Sequence, residues 1–225
     1  MVEFNHMFWR EINDKTIHPI RINGSPMQLP AYNQGINLAS SLGVDWCAFI
    51  DADEFIKIRS DRTLESILAD YHDYPQLSLN WRLYGSSGIM DIQRDENGNP
   101  TPDAYNVLSR FTKCERVLNR HVKQMVNIEW FRTRDAMLPQ FMLPHNTNSA
   151  SKGLMGEMVI GPWNQWKLDQ PREIELAHYA TKSRAEFMTR RNYRRADTGK
   201  PRENLEDMWL EHDKNDIDES ELKMG

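Results

Sequence analysis

The sequence predicts a mixed α/β fold in which a mainly parallel sheet is flanked by helices. The central observation is a near-continuous apolar run at residues 44–50, which is typical of a strand buried on both faces of a parallel sheet. Apolar residues at helical spacing precede and follow this run, and stretches of alternating polarity come later. Helical and extended patterns that alternate along a chain indicate helices packed on a sheet.

The first third of the chain alternates between extended and helical patterns. Residues 18–23 are β-prone, and a helical pattern centred on Ile36 follows them. The buried strand at 44–50 comes next. A second helical pattern begins after Asp61 or Thr63, either of which has the side-chain oxygen that an N-cap requires.

The middle of the chain is less regular. Residues 77–83 alternate between apolar and polar side chains, which predicts a half-buried strand that runs into a turn at 85–88. Two further strands are expected at 107–111 and 122–128. Residues 138–162 are rich in Met, Pro and Gly and are predicted to form a long loop, a feature that is often functional in compact domains.

Regular structure is expected again near the carboxyl end. The alternation at 174–178 predicts a strand, and Ser183 with Glu186 has the spacing of a capping box that opens a helix. Four arginines lie on that predicted helix, at positions 190, 191, 194 and 195. We expect one catalytic domain over 1–200 and an acidic helix or tail over 201–225.

Composition limits the classes of function. The 225 residues carry a formal net charge of −5, and from Glu203 onward nine acidic residues stand against two lysines, so the acidity belongs to the tail, which we expect to be solvated or frayed. We expect no nucleic-acid partner. The apolar runs are far shorter than the roughly 20 residues of a spanning helix, so no membrane span is expected. Two cysteines and the lack of a signal-like N-terminus predict a cytoplasmic location, with peripheral membrane association as a second expectation.

The strongest chemical signal is the group of acids directly after the apolar run. Asp51 and Asp53 are two residues apart, so on an extended backbone both carboxylates point the same way. Oxygen ligands at a strand end suit Mg²⁺ or Mn²⁺ shared with substrate phosphates. The competing interpretation is that these acids cap the next element or lie solvated in a turn.

Three segments resemble one family in the same order along the chain. Trp46-Cys-Ala-Phe-Ile-Asp-Ala-Asp-Glu-Phe55 resembles the metal-binding signature of glycosyltransferases with the GT-A fold, of the family two type. Trp81-Arg-Leu-Tyr-Gly-Ser-Ser-Gly88 resembles the Trp-Arg-x-aromatic-Gly-Ser turn of that group, and His178-Tyr-Ala-Thr-Lys-Ser183 resembles its late His-Tyr-x-x-Lys-Ser motif. The resemblance covers roughly residues 28–195.

The resemblance implies a GT-A-like catalytic domain and a set of roles. A divalent cation, Mn²⁺ or Mg²⁺, would be held by Asp51, Asp53 and His178. The partners implied are a nucleotide-sugar donor and a glycan or lipid-linked acceptor, in cell-surface glycan synthesis. Substrate-binding roles fall on Glu54, Trp81, Arg82, Gly85, Ser86, Ser87, Gly88 and Lys182, with Lys182 placed against the diphosphate.

Two motifs of the family are not found at the beginning of the chain. Members usually start with a strand carrying a Lys-Asn-Glu-like motif and a second strand with Asp-Asn-x-Ser-x-Asp, which line the pocket for the nucleotide base. Neither occurs in residues 1–29. We therefore expect either a GT-A-like domain that is truncated at its N-terminus or one that holds the nucleotide base differently.

The base that would activate an acceptor hydroxyl has three candidates. A general base must come within hydrogen-bond reach of the hydroxyl, and His145, Asp91 and Glu129 all lie in segments that could face the site. We favour His145, in the long loop. Trp163 and Trp166 in the same part of the chain are either anchors of a small core or a platform on which a sugar stacks.

Two other functions are compatible with the sequence. An Asp-x-Asp after a strand also serves phosphoryl transfer or phosphatase chemistry, with Asp51 as the nucleophile. A non-catalytic carbohydrate-binding module descended from a transferase would explain the missing base-binding motifs.

Overall fold

The computed structural model describes most of the chain. The described residues are 2–24, 26–143, 146–147, 151–154, 156–164, 172–189, 193–195 and 198–222. Eight α-helices are found among them: Val2–Met7 (α1), Trp9–Asn13 (α2), Gln28–Ser41 (α3), Leu64–Ala69 (α4), Val107–Arg110 (α5), Ile128–Thr133 (α6), Arg184–Met188 (α7) and Leu205–His212 (α8).

Eleven strands are found in the same described ranges. They are Trp46–Ala48 (β1), Glu54–Ile58 (β2), Gln76–Leu83 (β3), Lys113–Cys114 (β4), Val122–Asn127 (β5), Phe141–Leu143 (β6), Asn146–Thr147 (β7), Ser151–Gly153 (β8), Met158–Val159 (β9), Ile174–His178 (β10) and Ile217–Asp218 (β11). The fold is mixed α/β, as the sequence predicts.

The main sheet has seven strands and is mostly antiparallel. Its central path runs in the order β1-β5-β3-β10-β2, with β8 also paired to β3 and β9 paired to β8. Among the strands that the structure describes, only the pairings of β3 with β10 and of β3 with β8 are parallel. The expectation of a mainly parallel sheet is therefore wrong. Alternating or apolar runs identify a strand but not the direction of its neighbour, which depends on the connections between strands.

Two strands differ from their predicted burial. β1 lies at the end of the strand order and is half-buried, whereas its apolar run predicted burial on both faces. β3 was predicted to be half-buried, yet all eight of its residues are buried. The polar residues of β3 face a second layer of buried polar groups, and the Asn80 Oδ1 atom, for example, accepts a hydrogen bond from Asn164 at 3.1 Å.

Two short elements were also predicted wrongly. Residues 18–23 are irregular where a β-prone stretch was expected. Val107–Arg110 is a helix capped by the side chain of Asn106, and not a strand. A short apolar run does not distinguish helix from strand, and here the capping residue decides. The cap of α4 by Thr63 and the capping box of Ser183 and Glu186 are confirmed.

Three hydrophobic clusters hold these elements together. The first packs α4 against one face of the sheet, through Leu68, Leu79 and Leu176. The second packs α3 and α6 against β1 and β5, through Ile36 and Val126. The third, around Tyr84 and Tyr179, includes Ile217 of the C-terminal segment. Apolar area removed from water in these clusters is the main favourable term in folding.

The acidic C-terminal segment is packed against the rest of the chain. Trp209 of α8 is buried against Phe187, with ring centroids 5.5 Å apart. β11 pairs with β4, and Glu219 forms an ion pair with Lys57 of β2. The expectation of a solvated or frayed tail is wrong for the described residues of this segment, because Trp209 and Ile217 are buried and several of the acids accept hydrogen bonds or pair with cations.

No helix in the described ranges is long and apolar enough to cross a membrane.

Candidate functional site

The acidic motif lies on a segment that connects the two ends of the strand order. β1 and β2 stand at opposite ends of the central path, and only residues 49–53 join them. This segment contacts β5, through Asp51 and Lys123, and the end of β10, where the Tyr179 amide donates to the Asp53 carbonyl at 2.9 Å. Asp51 and Asp53 are thereby held against strands from both halves of the sheet.

Asp51 and Glu54 close the turn that carries Asp53. The Glu54 amide donates to the Asp51 carbonyl at 3.0 Å, and the Asp51 amide donates to Glu54 Oε2 at 2.8 Å. The Glu54 side chain is fully buried, and that burial raises the pKa of its carboxyl group. The family resemblance implied substrate binding by Glu54. In the structure its carboxylate instead accepts the Asp51 backbone amide and is shielded from solvent, so it stabilises the turn.

A buried lysine pairs with both acids. Lys123 Nζ lies 2.9 Å from Asp51 Oδ2 and 3.3 Å from Glu54 Oε2, and its side chain is only 1% exposed. Burial alone would lower the pKa of Lys123, but the carboxylates of Glu54 and Asp51 outweigh burial and raise it. The Tyr32 hydroxyl donates to Asp51 Oδ1 at 3.3 Å. Asp51 is thus oriented by a cation and a phenol, while 42% of its side chain is exposed.

Asp53 and His178 are neighbours. The distance between Asp53 Oδ1 and His178 Nε2 is 3.7 Å, which confirms the expected proximity of the two side chains. The strand that carries His178, β10, is paired with β2. The register places His178 opposite Glu54 on one side and Leu83 on the other, so their side chains share one face of the sheet.

This pair suits a divalent cation that is shared with a phosphate ligand. Within the part of the chain that the structure describes, no three His, Cys, Asp or Glu side chains form a group able to hold a metal ion. Mg²⁺ and related hard cations commonly take one or two protein ligands and complete their coordination with water and substrate phosphates. Asp53 has a carboxylate oxygen of this kind and His178 adds an imidazole nitrogen, whereas Asp51 already pairs with Lys123.

The turn at 85–88 holds the C-terminal segment. The Ser86 amide donates to Asp213 Oδ1 at 2.6 Å, and the Ser87 amide donates to Asn215 Oδ1 at 2.7 Å. A Cβ on Gly85 would collide with the Lys214 carbonyl oxygen. The family resemblance had implied a substrate-binding role for this turn.

The remaining parts of the turn are also engaged. The Ser86 hydroxyl accepts from the Gly88 amide at 3.2 Å, and the Ser87 hydroxyl accepts from the Lys113 amide at 3.0 Å. Ser87 and Gly88 both have positive φ, which Gly88 tolerates without a steric cost. The backbone amides and serine hydroxyls of this turn therefore have a structural role.

Arg82 and Trp81 are core residues. Arg82 Nε lies 2.9 Å from Glu175 Oε1, and its Nη1 donates to the backbone carbonyls of Glu115 and Arg116. Both partners of the ion pair are essentially inaccessible, so Arg82 does not reach a substrate. Trp81 is also buried, but its ring centroid lies 4.3 Å from that of His178. Trp81 therefore packs against one residue of the candidate site.

Lys182 is held on a short connection after β10. Its φ is +55°, a left-handed conformation that is uncommon for a lysine, and the flanking residues fix it. The Thr181 hydroxyl donates to the Tyr84 carbonyl at 2.9 Å, and Ser183 caps α7. The Lys182 side chain is half-buried, four residues beyond His178.

The three candidate bases have different positions. His145 lies outside the described residues. Asp91 is exposed in a bend next to the start of α7, where its carboxylate accepts the Ile92 amide at 2.7 Å. The Glu129 amide bonds to the Asp45 carbonyl at the amino end of β1, whereas Asp51 follows the carboxyl end. The structure does not bring Glu129 to Asp53 and His178.

Three residues of this region were not identified from the sequence. In the sequence, Lys123 is a lysine inside an apolar strand pattern, and Tyr32 belongs to the apolar face of a predicted helix. His121 immediately precedes β5, and its ring stacks on Trp81 with centroids 4.7 Å apart. A charged residue at an inward-facing strand position is the signal that would have pointed to Lys123, because such residues are rarely buried without a partner.

The chain matches no protein-family model, and no curated protein is similar enough to be counted as a relative.

Proposed function

We propose that this protein is a metal-dependent glycosyltransferase with a GT-A-like catalytic region, which moves a sugar from a nucleotide-diphosphate donor to an acceptor hydroxyl. The observation that carries the proposal is the 3.7 Å approach of His178 to Asp53. These residues belong to two separate motifs of the resemblance, far apart in the chain. The resemblance predicts that they lie close together, because it assigns both to one cation.

The residues around this pair have complementary tasks. Asp53 and His178 would hold Mn²⁺ or Mg²⁺. The Lys123–Asp51 ion pair fixes the segment 49–53 that carries Asp53. When bound, the cation offsets the negative charge that develops on the diphosphate as the nucleotide leaves. Lys182, four residues beyond His178, would contact the same diphosphate.

Direct ligand binding tests the proposal. Calorimetry with Mn²⁺ should detect binding of uridine or guanosine diphosphate to the wild type and little or none without metal. Asp53→Asn should abolish the metal-dependent binding because it removes a proposed metal ligand. It should leave the fold intact, since this carboxylate is 22% exposed and lies outside the hydrophobic clusters. Asp61→Asn, a change of the same kind at an exposed position, serves as the control and should bind as the wild type does.

The reaction distinguishes the remaining alternatives. Release of free nucleoside diphosphate from a sugar nucleotide, or transfer of its sugar, supports the transferase. Hydrolysis of a phosphomonoester with loss of activity in Asp51→Asn would instead support phosphoryl-transfer chemistry. If neither diphosphate binds with Mn²⁺, the proposal fails and a non-catalytic carbohydrate-binding role is favoured.

A further inference from the structure

Four rings form a continuous row that starts at the candidate metal site. Trp81 packs 4.3 Å from His178, His121 stacks on Trp81 at 4.7 Å, and Trp163 lies 3.9 Å from His121, all measured between ring centroids. Trp81 is buried in the middle of the row, whereas Trp163 at its far end is 46% exposed. The row therefore connects Asp53 and His178 to a second, more exposed position on the surface.

The exposed end of the row is held firmly by its backbone. Residues 162–164 lie antiparallel to 120–122, with the Val122 amide donating to the Pro162 carbonyl at 3.1 Å and the Asn164 amide donating to the Arg120 carbonyl at 2.7 Å. The Asn164 side chain is fully buried and donates to Glu157 at 2.8 Å. An indole on an anchored backbone that is half-exposed has a ring face available for contact, and it loses little conformational entropy when a ligand binds.

His121 packs against the other face of the Trp163 ring, with the ring centroids 3.9 Å apart. Its backbone amide and Nδ1 both lie within hydrogen-bond distance of Asn119 Oδ1, at 3.0 and 2.7 Å. Because the same oxygen accepts from the amide, Nδ1 is the donor in the second contact, which leaves the lone pair of the neutral ring on Nε2. Burial, and then the neighbouring His212, lower the pKa of His121, while Glu211 acts in the opposite direction. The ring is therefore neutral at physiological pH.

We propose that the exposed face of Trp163 forms a subsite for a pyranose ring of the acceptor glycan. The apolar C–H face of the sugar stacks on this face of the indole, while His121 packs on the other face. The assignment rests on the proposed transferase function, since the row connects this subsite to the place where transfer would occur.

The chemistry of the indole favours a sugar ring. Tryptophan combines a large flat apolar surface with one polar edge, which suits a ring that has both C–H faces and hydroxyls. The nucleotide base of the donor is the competing occupant, and the experiment must separate the two.

The experiment uses the full chain, an array of neutral oligosaccharides and calorimetry. We expect the wild type to bind at least one sugar on the array, and Trp163→Ala to weaken that binding at least tenfold. Trp163→Phe keeps an aromatic face and should lose less. Trp9→Ala removes a similarly exposed indole, 54% against 46%, from the N-terminal helices and should bind as the wild type does.

Binding of uridine or guanosine diphosphate with Mn²⁺ is measured on the same variants and should change less than twofold. The proposal is overturned if the wild type binds no array sugar, if Trp163→Ala and Trp163→Phe both bind it with full affinity, or if Trp163→Ala loses diphosphate instead. The last result would assign the row to the nucleotide. Failure of the transferase proposal gives a different result: no metal-dependent diphosphate binding in the wild type, with Trp163-dependent sugar binding intact.

Discussion

Lys123 shows how one residue can organise a candidate site without contacting a ligand. Its ammonium group is almost inaccessible and lies between the carboxylates of Asp51 and Glu54. A buried carboxylate is strongly disfavoured unless a cation or hydrogen bonds compensate it. Lys123 therefore allows the chain to place acids against the sheet, and the exposed side of Asp51 and the Asp53 carboxylate remain directed to the surface.

We predict that Lys123→Met destabilises the protein by about 1–3 kcal/mol, because the buried Glu54 carboxyl loses its cation and must take up a proton while Asp51 loses its partner. Adding Glu54→Gln should recover part of that loss, since the double variant carries no buried unpaired charge. The free energy of unfolding from urea titrations measures both effects. Lys113→Met, at an exposed strand position, should change it by less than about 0.5 kcal/mol. Equal losses in the single and double variants would contradict this account of the pair.

At the scale of elements, the C-terminal segment was the least predictable part of the described chain. Its charge suggested a tail, but Trp209 and Ile217 were the informative residues, since they are buried and fix the segment against α7 and β4. The segment also reaches the turn at 85–88 through Asp213 and Asn215. A sequence in which acids outnumber apolar residues does not reveal that a few of the acids accept backbone amides.

The Asp213 contact gives the first prediction at this scale. Asp213→Ala leaves the buried Ser86 amide without its acceptor and should cost about 1–3 kcal/mol of unfolding free energy. Asp207→Ala removes the same charge from an exposed position of α8 and is the control. Chemical denaturation compares the two variants. An Asp213 variant as stable as the control would show that the turn does not depend on this carboxylate.

Glu115 provides a test by pH. It accepts the Leu83 amide at 2.7 Å, and burial raises its pKa to about 7. Because the folded-state pKa lies above the value of about 4.3 for an exposed glutamate, the unfolded chain releases this proton first. Stability is therefore lost as pH rises from about 4.5 to about 7, and it stays lower above that range.

Glu115→Gln keeps an acceptor for the Leu83 amide but does not titrate. Its free energy of unfolding relative to wild type should therefore rise by about 1–3 kcal/mol when the pH is raised from about 5 to about 8. The measurement is urea unfolding at both pH values, with Glu96→Gln, at an exposed turn, as the reference variant. A Glu115→Gln protein with the pH dependence of wild type would show that Glu115 titrates normally in the folded state.

The sequence predicted local elements better than their arrangement. Capping residues such as Thr63 and Ser183 are local, so they were identified correctly. Strand direction and order depend on contacts between distant segments, and nothing in the apolar pattern of 44–50 shows that β1 pairs antiparallel with β5 at the end of the strand order. In the candidate site, motif resemblance pointed to Asp53 and His178, but the pairing of Asp51 with Lys123 required the structure.

At the scale of the whole molecule, the sheet brings two separate motifs to one place. The connection between β1 and β2 carries Asp53, and β10 carries His178 to the same face through its pairing with β2 and β3. Neither strand alone forms a site. The central claim is that Asp53 and His178 jointly hold a divalent cation that a nucleoside diphosphate also binds.

Pulsed electron paramagnetic resonance of bound Mn²⁺ tests that claim most directly. In the presence of uridine or guanosine diphosphate, the wild type should show nitrogen coupling from one coordinated imidazole, because a directly bound ring nitrogen modulates the Mn²⁺ signal. The coupling should disappear in His178→Gln and persist in His72→Gln, where an exposed histidine is replaced. A bound Mn²⁺ signal without nitrogen coupling, or with coupling that survives in His178→Gln, would contradict the claim.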